Sequence, residues 1–159
     1  MKILVISDSH GRMDNVRTVL SKVGELDQII HLGDIIGQDD ILRGMCNCPV
    51  TIVRGNGDFS GDKKIAEIVE VGKYKIFATH GHMYGVDWGI DRLYYAAEES
   101  KCNVAMYGHT HVPELTSYGG VTILNPGSIS LPRQTNRKPS YILMEIDDSG
   151  EAKYSINYL

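Results

Sequence analysis

The chain has 159 residues, 42% hydrophobic and 23% charged, with 16 lysines and arginines against 20 aspartates and glutamates for a net charge of −4. That length suits a single domain with its own core, and that composition sets aside disordered, collagen-like and fibrous classes. The acidic balance, with no run of basic residues, argues against bulk-charge attraction to nucleic acid or anionic membranes.

The β-branched run KILVIS (2–7) predicts a strand. The opening MKILVISDSHG is too short for a signal segment or a membrane span, so a cytoplasmic protein that meets no membrane is expected. Val16, Val19, Leu20 and Val23 follow at helical spacing. DQIIHLG (27–33) predicts a second strand stopping at a glycine, 39–45 a short helix, and VTIVRGN (50–56) a third strand. His31, inside the apolar second strand, reads as a hydrogen-bonded core histidine, and Arg54 as structural. Strands alternating with helices predict parallel pairing through right-handed crossovers. Cys46, Cys48 and Cys102 are odd in number and lack zinc-ribbon spacing, which favours free thiols in a reducing compartment.

KIAEIVEVGKYKIFATHG (64–81) predicts a hairpin turning at Gly72-Lys73. Ile90, Leu93, Tyr94 and Ala97 share one face of a helix predicted over 87–100, and NVAMYG (103–108) is again a strand. Two further hairpins turn at Gly119-Gly120 and Ser149-Gly150. The sum is one α/β domain spanning 1–159, in which two sheets pack face to face with helices outside.

Each predicted strand in the first two thirds ends in residues able to hold a metal. Asp8 and His10 follow the first, Asp34 the second, Asn56 the third, His80 the hairpin, and His109 with His111 the strand after it. Ligands of open α/β sheets sit at the carboxyl ends of strands, so these loops should share one rim. Two acids, an amide and four imidazoles suit Mn²⁺, Ni²⁺, Fe²⁺, Co²⁺ or Zn²⁺ better than Ca²⁺ or Mg²⁺, and they outnumber the needs of one ion. In an extended segment residues i and i+2 point the same way, which predicts two pincers, Asp8 with His10 and His109 with His111. Glycines 11, 33, 55, 81 and 108 fit sharp turns and close backbone approach beside these residues.

Asp8-x-His10, Gly33-Asp34, Gly55-Asn56, His80 and Gly108-His109-Thr110-His111, followed by Asn125-Pro126-Gly127-Ser128, resemble the calcineurin-like metallophosphoesterase family in its small bacterial and archaeal phosphodiesterase branch. The resemblance implies a four-layer α/β/β/α sandwich of two mixed sheets with a dinuclear metal site at the strand carboxyl ends. It implies a divalent-metal-dependent phosphodiesterase in which a metal-bridging hydroxide attacks a small phosphate ester. Asp8, His10, Asp34 and His111 would hold the first ion, and Asn56, His80, His109 and the shared Asp34 the second, with Mn²⁺ favoured.

One position departs from the family, which places a histidine after Gly-Asn where this chain has Gly57-Asp58. That histidine stabilises charge and protonates the leaving oxygen, and the small branch often has cysteine instead. Glycine does neither, and a general acid is worth about 10²–10⁴-fold. A preference for aryl phosphodiesters over alkyl monoesters follows. His82 is a candidate for catalysis or substrate binding at the same rim, with a loop or capping role as the alternative. Asp58 joins Asp34, Asn56 and His82 in the expected catalytic set, chiefly by orienting a ligand or tightening its turn. Arg12 and Arg133 are candidates for bidentate phosphate contact, and Trp88 and Tyr84 for lining the cleft. Alternatives are a non-catalytic metal-binding scaffold, as in the retromer subunit that resembles this family, a phosphomonoesterase, or a nuclease, for which a basic track is missing. Base rates favour a homodimer.

Overall fold

The computed structural model describes residues 1–59 and 61–159. Strand β1 (Lys2–Ile6) is buried from Ile3 onward, so its sequence is a continuous apolar run rather than an alternating one. Ile3 and Val5 point into a core shared with Val69, Ile76, Met106 and Ile142. Leu4 and Ile6 point the other way, against Val16, Val19, Ile29 and Leu42. The two-residue period of a single strand thus supplies side chains to two layer interfaces.

β1 pairs in parallel with β2 (Gln28–His31), and β2 with β3 (Val50–Ile52). Helices α1 (Asp14–Val23) and α2 (Asp39–Gly44) make the crossovers and cover the outer face. On the far side of β1 the chain returns antiparallel as β9 (Ser140–Ile146) and β10 (Ala152–Tyr158), giving the order β10-β9-β1-β2-β3. The second sheet, ordered β4-β5-β6-β8-β7, contains β4 (Ala66–Val71), β5 (Tyr74–Thr79), β6 (Val104–Met106), β7 (Pro113–Tyr118) and β8 (Val121–Pro126). Helix α3 (Asp91–Glu99) seats Leu93, Tyr94 and Ala97 on its outer face against Phe77, Ala105 and Ile123. Two mixed sheets between outer helices make the four-layer α/β/β/α sandwich that the sequence implies.

Two departures from the predicted elements matter for the site. The strands predicted over 27–33 and 50–56 end at His31 and Ile52, because the residues beyond leave the ladder to build loops. The helix predicted over 87–100 begins only at Asp91. Gly89 has φ 147°, which no helix admits, and Trp88 N–H closes a turn on the Gly85 carbonyl at 2.9 Å.

His31 is a fully buried, hydrogen-bonded core residue at the end of β2. Its Nδ1 accepts the Gly33 N–H at 3.2 Å, so Nε2 carries the proton and donates to Ser9 Oγ at 3.0 Å. One neutral ring therefore ties the β1 loop to the β2 loop. Burial pushes its pKa down from 6.5 to about 4, partly offset by the charges of Asp8 and Asp58.

The unfolded chain takes up this proton near pH 6.5 and the folded chain only near 4, so stability falls as pH drops between those values. Between pH 7 and pH 4.5 this group should cost about 2 kcal/mol of stability. Urea unfolding of the metal-free protein at both pH values checks it: His31→Gln should shrink the acid-induced loss by about that amount, and an unchanged loss would refute the assignment.

Candidate metal centre

The loops after β1, β2, β3, β5 and β6 converge because backbone hydrogen bonds lash them together. Asp8 N–H donates to the Gly33 carbonyl at 3.1 Å and His10 N–H to the Asp34 carbonyl at 2.9 Å. The Asp58 carboxylate accepts the N–H groups of Asp34 (3.0 Å), Ile36 (2.8 Å) and Gly55 (2.9 Å), joining the β2 and β3 loops. From the β6 loop, His109 N–H donates to Asp8 Oδ2 at 3.1 Å. Asn125 donates to the Gly108 carbonyl and Thr110 Oγ1, and Ser128 Oγ to the Asp8 carbonyl at 2.7 Å. The Asn-Pro-Gly-Ser segment is thus a brace beneath two of the loops.

Asp8 is fully buried, and its Oδ1 has no hydrogen-bond partner. Around that oxygen stand His111 Nε2 at 3.1 Å, His10 Nε2 at 3.8 Å and His80 Nε2 at 3.9 Å. Asp34 turns Oδ2 toward His10 Nε2 (3.8 Å) and Oδ1 toward His80 Nε2 (3.7 Å). His80 Nε2 also lies 3.0 Å from Asn56 Oδ1, and the Nε2 atoms of His10 and His111 are 3.2 Å apart. His80 and His111 each direct Nδ1 to a backbone carbonyl, Leu32 and Leu131, both at 2.6 Å. With Nδ1 engaged there, Nε2 is the nitrogen each ring turns inward.

Two ligands about 2.0–2.2 Å from one ion stand roughly 3–3.6 Å apart at ordinary coordination angles, close to the spacings here. A buried oxygen without a hydrogen-bond partner, ringed by imidazole nitrogens and free of thiolates, fits a divalent transition metal. Two groupings meet the requirement among the described residues, Asp8 with His10 and His111, and Asp8 with Asp34 and His80. Burial, the largest influence, raises the Asp8 pKa. The adjacent imidazoles of His111 and His80 outweigh it and hold the carboxyl below its usual range. Burial lowers the His111 pKa, and the adjacent Asp8 carboxylate more than restores it.

Of the two expected pincers only Asp8 with His10 forms, and for a different reason from the one the sequence offers. Asp8, His10, His109 and His111 are not in extended backbone. Their φ values are 55°, 47°, 67° and 60°, and Asp34 joins them at 53°. Left-handed backbone, uncommon for side-chain-bearing residues, aims Asp8 and His10 together but parts the other pair. His111 faces Asp8, whereas His109 directs Nε2 to Asp87 Oδ2 at 2.8 Å and packs its ring edge-on against His80, centroids 5.1 Å apart.

His82 places its ring 5.4 Å from His80 and 6.2 Å from His109, with Nδ1 buried and unpartnered. Burial and the neighbouring imidazoles lower its pKa, which favours a neutral ring with one N–H to give. Arg12 and Arg133 are exposed and flank the same loops: Ser130 Oγ donates to the Arg12 carbonyl, and Arg133 N–H to the His111 carbonyl. Tyr84 and Trp88 line a separate cleft of about 450 Å³ with Asp91 and Arg92, which contains none of the clustered donors. Asp87 and the Leu32 and Leu131 carbonyls have no distinguishing signal in the sequence. Asn125 and Ser128 do, in the Asn-Pro-Gly-Ser segment.

The calcineurin-like phosphoesterase superfamily domain matches residues 1–149. The probable metallophosphoesterase YsnB of Bacillus subtilis strain 168 is 36% identical over 149 residues, covering 93% of this chain and 86% of its own. Phosphodiesterase YfcE of Escherichia coli strain K12 is 27% identical over 171 residues, covering 92% and 89%. Among solved structures, wild-type Vps29 of Entamoeba histolytica complexed with Zn²⁺ matches with a TM-score of 0.80 at 27% identity, over 99% of each chain.

Gly108 shows how closely the loops approach, since a Cβ there would run into Ser7 Oγ and lie 2.8 Å from Asp8 Oδ2. Gly108→Ala should cost about 1–3 kcal/mol by overpacking and lower metal uptake with it. Gly44→Ala, at a helix end with nothing within 4 Å, should leave metal uptake unchanged. Thermal unfolding and metal counting on the two variants check both expectations.

Proposed function

The chain belongs to the calcineurin-like phosphoesterase superfamily, and from that premise we propose that it hydrolyses small phosphodiesters at a rim that would hold two divalent ions, Mn²⁺ foremost. The observation that carries this reading is the buried, unpartnered Asp8 Oδ1 facing three imidazole nitrogens. Asp8, His10 and His111 would hold the first ion, and Asn56, His80 and His109 the second. Asp34 serves both, one oxygen toward His10 and the other toward His80. Ions held there supply Lewis acidity to the phosphoryl group and to water.

The remaining residues bind and orient. Asp58 fixes the Asp34 backbone, and Gly57 N–H donates to Asp34 Oδ1 at 2.7 Å, holding that carboxylate in place. Arg12 and Arg133 bring positive charge to the side of the first ion, where a phosphate anion meets them. His82 gives its N–H to an ester oxygen beside the second ion. No side chain at position 57 protonates a leaving group. The three free thiols suit the reducing cytoplasm, and no helix among the described residues is long and apolar enough to cross a membrane.

A scaffold of the same fold is the competing reading. Metal uptake alone does not separate the two, since Vps29 of Entamoeba histolytica is also known with Zn²⁺; turnover does. Bis(4-nitrophenyl) phosphate should be hydrolysed, the activity abolished by chelator and restored by Mn²⁺. Two bound ions without turnover would favour the scaffold. Asp34→Asn should weaken both ions, whereas His111→Ala should empty the first and His109→Ala the second, as read by metal counts.

Without a general acid at position 57, worth about 10²–10⁴-fold where present, rates should fall steeply as the leaving-group pKa rises. A series of substituted aryl and alkyl diesters tests this, and a flat dependence would refute it.

A further inference from the structure

We infer that Asp87 is a positioning residue for the second metal position, selecting the tautomer of His109 that leaves Nδ1 as its ligating nitrogen. The inference rests on the two-ion reading above and adds the residue that prepares one of its ligands. His80 and His111 are held through Nδ1 by the Leu32 and Leu131 carbonyls and so offer Nε2. His109 reverses the arrangement. Its Nε2 lies 2.8 Å from Asp87 Oδ2, and a carboxylate accepts, so Nε2 carries the proton. A nitrogen that donates a proton cannot ligate, which leaves Nδ1.

Asp87 is held for this role by its neighbours. Val86 is buried in the cluster containing Phe77, Leu93 and Tyr107. The turn closed by Trp88 N–H on the Gly85 carbonyl then presents Asp87 outward beside it. Gly81, on the strand side, packs so closely that a Cβ would stand 2.8 Å from Val86 Cγ2. The segment has little room to swing away. Removing a partner on the outer nitrogen of a ligating histidine costs about 10–100-fold in metal affinity. The Asp87 side chain is 52% exposed, which points to the lower end, about tenfold.

The test uses chelator-stripped full-length protein, Mn²⁺ titration by calorimetry, and long-range ¹H–¹⁵N spectra that report the His109 tautomer without metal. Wild type should show Nε2–H at His109 and take up two equivalents. Asp87→Ala should mix the tautomers and weaken the second equivalent about tenfold while sparing the first. Asp87→Asn, which can still accept the proton but lacks the charge, should keep the tautomer and fall between. In a His109→Ala background Asp87→Ala should add nothing. An unaltered tautomer in Asp87→Ala, or a second equivalent bound as tightly as in wild type or more tightly, would overturn the inference. If wild type binds only one equivalent, the two-ion reading fails by itself, and the tautomer still decides whether Asp87 orients His109.

Discussion

A fully buried carboxylate with one bare oxygen is the feature around which this molecule is arranged. Taking an ion such as the Asp8 carboxylate out of water costs several kcal/mol, and the fold recovers this only where positive charge or donors surround it. Oδ2 has the His109 N–H and Oδ1 has none, so the protein leaves half of that demand open. The opening is not a packing defect. Ser128 and Gly33 hold the Asp8 backbone on either side, and neither leaves slack for the side chain to find another partner.

The backbone bears the strain of this arrangement. Five of the seven expected metal-binding residues lie in the left-handed region, at about 1–3 kcal/mol each. Such conformations persist only where the surroundings over-determine them. Here the Asp58 clamp, the exchange of bonds between the β1 and β2 loops, and the brace at Asn125 and Ser128 do so. His31 belongs to the same machinery. It touches no expected ligand, yet both its ring nitrogens hold residues adjacent to one, Ser9 and Gly33.

How far the sequence reveals this depends on the kind of signal. The β1 run, the three hairpins and the apolar stripe on α3 are legible because burial of one or both faces is written directly into periodicity. The convergence of Asp8, His10, Asp34, His80 and His111 is legible because strand ends in an α/β sheet share a rim. The φ values that aim them are not, since left-handed backbone at aspartate or histidine leaves no compositional mark and the i, i+2 argument assumes extended chain. Asp87 was hidden for a similar reason. It falls inside a segment whose apolar spacing continues the α3 pattern, and only the φ of Gly89 breaks the helix before reaching it.

The two halves of the rim also differ in how they are built. His111 and His80 are oriented by backbone carbonyls, which no substitution at Leu131 or Leu32 removes, and both rings are almost entirely buried. His109 is oriented by a half-exposed side chain, and its partner across the second position, Asn56, is exposed. The charge of the first position is similarly enclosed, because Asp8 has nowhere else to turn. On the two-ion reading, an ion at Asp8, His10 and His111 would meet the enclosed Asp8 carboxylate, where burial strengthens each electrostatic contact.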